Sequence, residues 1–178
     1  MGIVCTLSEK AYFLGYTVYK LLSTVLGLRK EDDRDDYINK RVESDIIQIT
    51  NGTYSPLDRF MDKEEYKSVI TSHRDTKGLL FGLPIVFDTN NEQIKEGETI
   101  LLTYKKQKLA VLEVSSKWEP NKSEEAEFCY GTNSLDHPAV KMIFHERGRF
   151  YIGGKVHGLE LPNRDFPCKT PKEVRDLL

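Results

Sequence analysis

Apolar residues at Leu7, Ala11, Leu14, Val18, Leu21, Val25 and Leu28 follow one another in steps of four and three. That spacing lines one face of an α-helix. Thr6 followed by Glu9 sets out a capping box, in which a hydroxyl and a carboxylate satisfy the free amides of a helix start, and Gly27 stands where such a helix can stop. The pattern predicts one long amphipathic helix over residues 1–30. Beyond it, Arg29-Lys30-Glu31-Asp32-Asp33-Arg34-Asp35-Asp36 has nothing apolar to bury and reads as the start of a solvated charged connection over 31–45. The same seam fits a coiled coil, and with it a homo-oligomer. Tyr12, Phe13, Tyr16 and Tyr19 widen the apolar face beyond a two-stranded seam, which favours packing on a broad protein surface.

From residue 46 to residue 178 the pattern changes. Residues 62–73 read as a helix, with Asp62 as N-cap and Tyr66, Val69 and Ile70 turned inward. Apolar and β-branched runs at 83–87, 99–104 and 109–114 read as strands. The last two flank Lys105-Lys106-Gln107-Lys108 and form a predicted hairpin. Further strands are expected at 125–129, 149–152 and 155–161, with Gly153-Gly154 as a turn between the last pair. Thr170-Pro171-Lys172-Glu173 combines a Thr cap, Pro at the first helical position and Glu at the third, so a helix starts there. Many short strands with a few helices predict a small α+β domain on a curled sheet.

Composition narrows the function classes. The chain has 178 residues, enough for a real core, with 30% charged residues and a net charge of -2. Acids and bases are interleaved, so the basic footprint of a nucleic-acid binder is missing. Cys5, Cys129 and Cys168 are odd in number and widely spaced, neither a disulfide framework nor a C-x-x-C metal site. Glu9, Lys10 and Lys20 interrupt the apolar N-terminal stretch, which is too short between charges to span a membrane. With no basic leader or small-residue cleavage site, the chain reads as cytoplasmic.

Motifs add a family. Asn51-Gly52-Thr53-Tyr54-Ser55-Pro56-Leu57-Asp58-Arg59-Phe60-Met61 is followed by Tyr66 and Val69, then by Gly78 and Leu83-Pro84-Ile85. Leu109-Ala110-Val111-Leu112-Glu113-Val114 comes next, then Tyr130-Gly131-Thr132 and Asp136-His137-Pro138-Ala139-Val140. Tyr151-Ile152-Gly153-Gly154-Lys155-Val156 and the stretch from Thr170 to Arg175 close the series. In this order and register the stretches resemble the N-terminal PUA-like domain of the sulfate adenylyltransferase (ATP sulfurylase) family, which belongs to sulfate assimilation. The resemblance implies a PUA-like pseudo-β-barrel with flanking short helices, in which Ser55, Pro56, Leu57, Gly131, Thr132, His137, Pro138, Gly153 and Gly154 are mainly structural. Arg59 replaces a turn glycine of the family pattern, Asp75 a leucine, and Phe81-Gly82 a Trp-Pro pair. Arg at a turn position of positive φ is strained, so the first change puts that turn in question.

The family joins sulfate to the α-phosphorus of ATP and releases pyrophosphate. That chemistry needs donors around the phosphates, usually with Mg²⁺. The family supplies them from Q-x-R-N and H-x-x-H motifs in the following domain. Here Gln48-Ile49-Thr50-Asn51 lacks the arginine, and His137 and His145 are not three apart. No catalytic residue, cofactor or metal ligand is therefore assigned, and the chain alone is expected not to make adenylyl sulfate. ATP and Mg²⁺ enter only with a catalytic sulfurylase partner chain.

The first segment carries a second resemblance. Lys10-Ala11-Tyr12-Phe13-Leu14-Gly15-Tyr16, Lys20-Leu21-Leu22, Leu26-Gly27 and Asp32-Asp33-Arg34-Asp35, continued by Tyr37, Asn39, Lys40 and Arg41, are similar to a segment of the second-largest subunit of archaeal and eukaryotic RNA polymerase. Asp36 and Ile38 depart from it, and the match covers only residues 9–43.

Other candidates have plainer readings. The acidic run at 32–36 is countered by Lys30 and Arg34 and reads as solvated rather than cation-binding. His137 is expected to hold its loop by hydrogen bonds, and His73, His145 and His157 lack metal-ligand spacing. Lys105, Lys106 and Lys108 form a solvated hairpin tip, Trp118 and Tyr130 are core or rim aromatics, and Asp58, Arg59 and Arg74 can form an ion-pair cluster. Two function classes follow. The first is a non-catalytic accessory domain of the sulfate adenylyltransferase family, a remnant or one half of a split enzyme. The alternatives are a PUA-like RNA- or protein-binding module, against which the neutral charge counts for RNA, and a polymerase-related fusion fragment.

Overall fold

The computed structural model describes residues 38–105, 107–159 and 168–178. The helix expected over 1–30, the acidic run at 32–36, Lys106 and residues 160–161 of the last expected strand lie outside them. In chain order the elements are α1 (Lys40–Thr50), β1 (Arg59–Phe60), α2 (Lys63–Ser72), β2 (Phe87–Thr89), β3 (Thr99–Tyr104), β4 (Gln107–Trp118), α3 (Lys122–Tyr130), α4 (Pro138–His145), β5 (Phe150–Gly158) and α5 (Pro171–Arg175). This is an α+β arrangement around a five-stranded sheet of order β1-β5-β4-β3. β1 and β2 both run antiparallel to β5, with Phe60 opposite Gly154 and Phe87 opposite Ile152.

Local chemistry accounts for the helix starts. The Asp62 carboxylate accepts the Glu65 amide at 2.9 Å and opens α2. Thr170 and Glu173 form the expected capping box, with Pro171 at the first position of α5. Asn39 accepts the Val42 amide at 3.0 Å and starts α1, for which the sequence predicts no element. Its buried apolar residues are only Val42, Ile46 and Ile49, too few to stand out as a helical period.

Two compact units are distinguishable. The first takes in the described parts of residues 38–53, 101–111 and 157–178. Within it the Lys172 amide of α5 donates to the Asn51 carbonyl at 3.0 Å, and the Arg175 guanidinium donates to the Gly52 carbonyl. The second comprises residues 54–100 and 112–156 and holds a core of Leu57, Met61, Tyr66, Val69, Ile70, Val86, Trp118 and Tyr151. Burying a large apolar side chain of this kind contributes about 1.5–3 kcal/mol. Tyr66, Trp118 and Tyr151 meet pairwise with ring centroids 5.4–6.0 Å apart, two of the pairs edge to face.

Three strand expectations are corrected. Residues 125–129 are helical, inside α3, because Asn121 accepts the Glu124 amide at 3.2 Å and Gly131 closes the helix at φ 68°. These two caps outweigh the β preference of Phe128-Cys129-Tyr130. The strand expected at 83–87 is reduced to β2, since Pro84 has no N–H for a ladder. Gly153-Gly154 is no turn. Both glycines lie inside β5, where neighbouring backbones come too close for a side chain. Arg59 needs no turn either, because it is a strand residue of β1 paired with Lys155. Asp75 is buried, and its carboxylate accepts the Lys77 and Leu79 amides at 2.9 and 2.8 Å, which closes the loop after α2.

Candidate functional site

The motif residues fall in the second unit at three places. Ser55 and Pro56 are exposed and joined by a cis peptide bond, and Leu57 is buried. Pro56, Leu57, Asp58 and Arg59 line a cleft of about 180 Å³, with Met61 and Phe81 as apolar walls and Glu65, Asp75 and Lys77 at its polar side. The expected ion-pair cluster is not formed. Asp58 pairs with Lys155, the Arg59 Nε with Glu65 at 3.3 Å, and the Arg74 Nη1 donates to the Gly78 carbonyl at 2.9 Å. Burial works to raise the Asp58 carboxyl, but the Lys155 ammonium and the Arg59 guanidinium prevail and hold it below its ordinary value. Of the charged residues lining the cleft, Asp58, Glu65 and Asp75 are acidic and Arg59 and Lys77 are basic, so it offers no excess of positive charge.

The second place is the loop from Gly131 to Pro138. The Thr132 hydroxyl accepts the Ser134 amide at 3.1 Å, and Asn133 bridges Ser123 and Glu127 at 3.0 Å each. His137 caps α4 without a side-chain bond, Pro138 takes its first position, and the imidazole lies against Tyr130 with centroids 5.1 Å apart. His137 Nδ1 is buried without a hydrogen-bond partner. The loop is held by its backbone and by the Thr132, Asn133 and Ser134 side chains, not by imidazole hydrogen bonds as expected.

The third place is β5, where Gly153 faces the backbone of Met61 and Asp62 and Gly154 faces the Glu113 carbonyl. Beside it lies a polar group that the sequence does not announce. Glu125 Oε2 accepts the hydroxyls of Tyr66 and Tyr151, both at 3.0 Å. Its Oε1 accepts Arg147 Nη1 at 2.7 Å, and the same nitrogen reaches the Tyr151 hydroxyl at 3.0 Å. Both charged side chains are buried, Glu125 to 2% and Arg147 to 7% exposure. Burial raises the Tyr66 and Tyr151 hydroxyls well above the ordinary tyrosine range, with the Glu125 carboxylate adding to it. Burial disfavours the charge on Arg147, but Tyr151 and Glu125 outweigh it. These partners come from α2, α3, β5 and the turn before β5, so nothing in local spacing points to them.

Cys129 is half-buried, and burial, then Glu125, push its thiol up to about 11. The thiolate is the reactive form, so alkylation of Cys129 is expected to be about a hundredfold slower than that of free cysteine near neutral pH. Its rate should keep rising as pH approaches 11. Mass-spectrometric alkylation rates check this, and a rate that levels off near pH 9 would contradict the burial.

Known proteins bear on the whole. Residues 28–161 match the family model of a PUA-like domain, and residues 5–43 match that of RNA polymerase Rpb2, domain 2. The sulfate adenylyltransferase of Kluyveromyces lactis is 36% identical over 138 residues, which are 74% of this chain and 27% of that protein. The sulfate adenylyltransferase of Chloroflexus aurantiacus is 35% identical over 143 residues, 79% of this chain and 37% of that protein. The chain thus spans about a quarter to a little over a third of these relatives. Among solved structures, the hexameric APS kinase from Thiobacillus denitrificans matches 79% of this chain and 25% of its own at a TM-score of 0.56 and 22% identity, a likeness of fold. With a family model matched over most of its length, a five-stranded antiparallel sheet and the motif glycines seated against backbone, the chain belongs to the PUA-like domain family.

Proposed function

We propose that this chain is a non-catalytic PUA-like accessory domain of the sulfate adenylyltransferase kind, either a remnant or one half of a split enzyme in the cytoplasm. The observation that carries the reading is what the motif residues do here. Leu57 fills the core, Gly131 and Pro138 close and open helices, and Gly153 and Gly154 let backbones meet. Residues shared with an enzyme family are thus occupied with the fold, and the charged pairs beside them, Asp58 with Lys155, Arg59 with Glu65 and Glu125 with Arg147, are engaged with one another. In a split enzyme, a separate chain would carry the Q-x-R-N and H-x-x-H motifs and hold ATP and Mg²⁺.

The purified chain is expected to release no pyrophosphate from ATP and sulfate, and to give no calorimetric signal with ATP, a non-hydrolysable analogue or sulfate. Turnover would overturn the reading outright. Co-purification with a chain bearing the catalytic motifs would decide for the split enzyme over the remnant. The match of residues 5–43 to a polymerase domain favours a further element of the reading, that the chain joins a polymerase-type segment to this domain.

A further inference from the structure

The connection between β2 and β3 is built around a single ammonium group. Lys117, on β4, donates its Nζ to the main-chain carbonyls of Asn91 at 3.1 Å, Glu92 at 2.8 Å and Ile94 at 2.8 Å. An ammonium has three N–H donors, and here all of them are used. The same nitrogen lies 4.4 Å from the centroid of the Phe150 ring, within cation–π range. Residues 90–98 are also held at Asn90 and Glu92 by Arg149, at Glu96 by the Lys117 amide and at Gly97 and Glu98 by Val114. Ile94 is their buried anchor, but Lys117 Nζ is what draws three of their carbonyls to one point. Three carbonyls aimed at one point repel one another unless a cation sits between them.

We propose that Lys117 is a tethered cation filling a monovalent-cation coordination site made of the Asn91, Glu92 and Ile94 carbonyls and the Phe150 face. Carbonyl oxygens at such distances replace the hydration shell of potassium-sized ions. A hard divalent ion prefers carboxylates, and the neighbouring acids are engaged elsewhere. Glu92 pairs with Arg149 at 3.0 Å, and Glu96 accepts the Lys117 amide at 2.9 Å. The native chain carries its own cation and orders this connection without one from solution. Neutralising Lys117 leaves a vacant site for potassium or ammonium.

The test is thermal melting of the full chain and its Lys117→Ala variant, whose shortened side chain leaves the space between the three carbonyls open. Chlorides of potassium, ammonium and the bulky N-methyl-D-glucamine are compared at equal ionic strength. In the bulky salt the variant is expected to melt about 5–10 °C below the native chain. In potassium or ammonium it regains about 2–4 °C, while the native chain melts alike in all three. Equal melting of the variant in every salt, or an equal gain in the native chain, overturns the proposal. Should the variant not fold, reductive methylation of the native chain decides. Lys117 should be labelled about tenfold more slowly than the exposed Lys63 and Lys141, and labelling at their rate overturns the caged ammonium.

Discussion

Replacing Arg147 with methionine is expected to destabilise the protein by about 3–5 kcal/mol, because the change leaves the Glu125 carboxylate buried and uncompensated. Glu125 has no route to water, with its side chain only 2% exposed beneath the Tyr66–Trp118–Tyr151 cluster. Two tyrosine hydroxyls remain as donors after the substitution, but they offset little of a whole buried charge. Glu125→Leu is expected to do comparable damage by stranding the guanidinium. The double variant should recover much of the loss, since a buried ion pair is often no better than apolar residues of similar volume. Urea denaturation of the two single variants and the double variant measures the coupling. A loss below about 1 kcal/mol for Arg147→Met, the level of an exposed pair, would mean that water reaches Glu125 and that this core is looser than described.

The second large effect is expected at β5. In Gly153→Ala the new methyl group falls on the Met61 carbonyl and 2.5 Å from the Asp62 Cα. Both are backbone, at the junction where β1 leads into α2, so no flexible side chain can yield. The expected cost is about 3 kcal/mol or more, the upper end for overpacking. Gly131→Ala supplies the contrast. Nothing lies within 4 Å of a Cβ there, and only its left-handed backbone at φ 68° resists, which costs about 1–2 kcal/mol. Equal stabilities of the two variants by urea denaturation would show that β5 and the Met61–Asp62 backbone are not in close contact.

What the chain declares about itself is what short-range chemistry decides. Asp62 before Lys63 and the box of Thr170 and Glu173 start helices through bonds spanning three residues, so both starts are legible without a fold. The β3–β4 hairpin is legible as well, because two β-rich runs flank a polar turn. The motif series reveals the family for a related reason: its members are order and spacing along the chain. Elements that fail to show are those whose local signal points two ways. Phe128-Cys129-Tyr130 favours a strand, and only the Asn121 and Gly131 caps turn it into a helix. A pair of glycines suits a turn or a close approach equally well, and only the Met61, Asp62 and Glu113 backbones beside Gly153 and Gly154 decide for the second.

The partners of charged groups were beyond the sequence altogether. Glu125 and Arg147 stand 22 residues apart, and Lys117 reaches carbonyls 23 to 26 residues before it. A carboxylate, a guanidinium or an ammonium carries no address in its neighbours along the chain. Its partner is chosen by which backbones the sheet brings within 3 Å and by how little water is left between them. The sequence therefore determined the helices that start after Asp62 and Thr170, the hairpin and the family to which the domain belongs. The tertiary structure alone decided the continuous β5, the buried ion pair and the caged lysine, because desolvation and close approach exist only once distant segments have met.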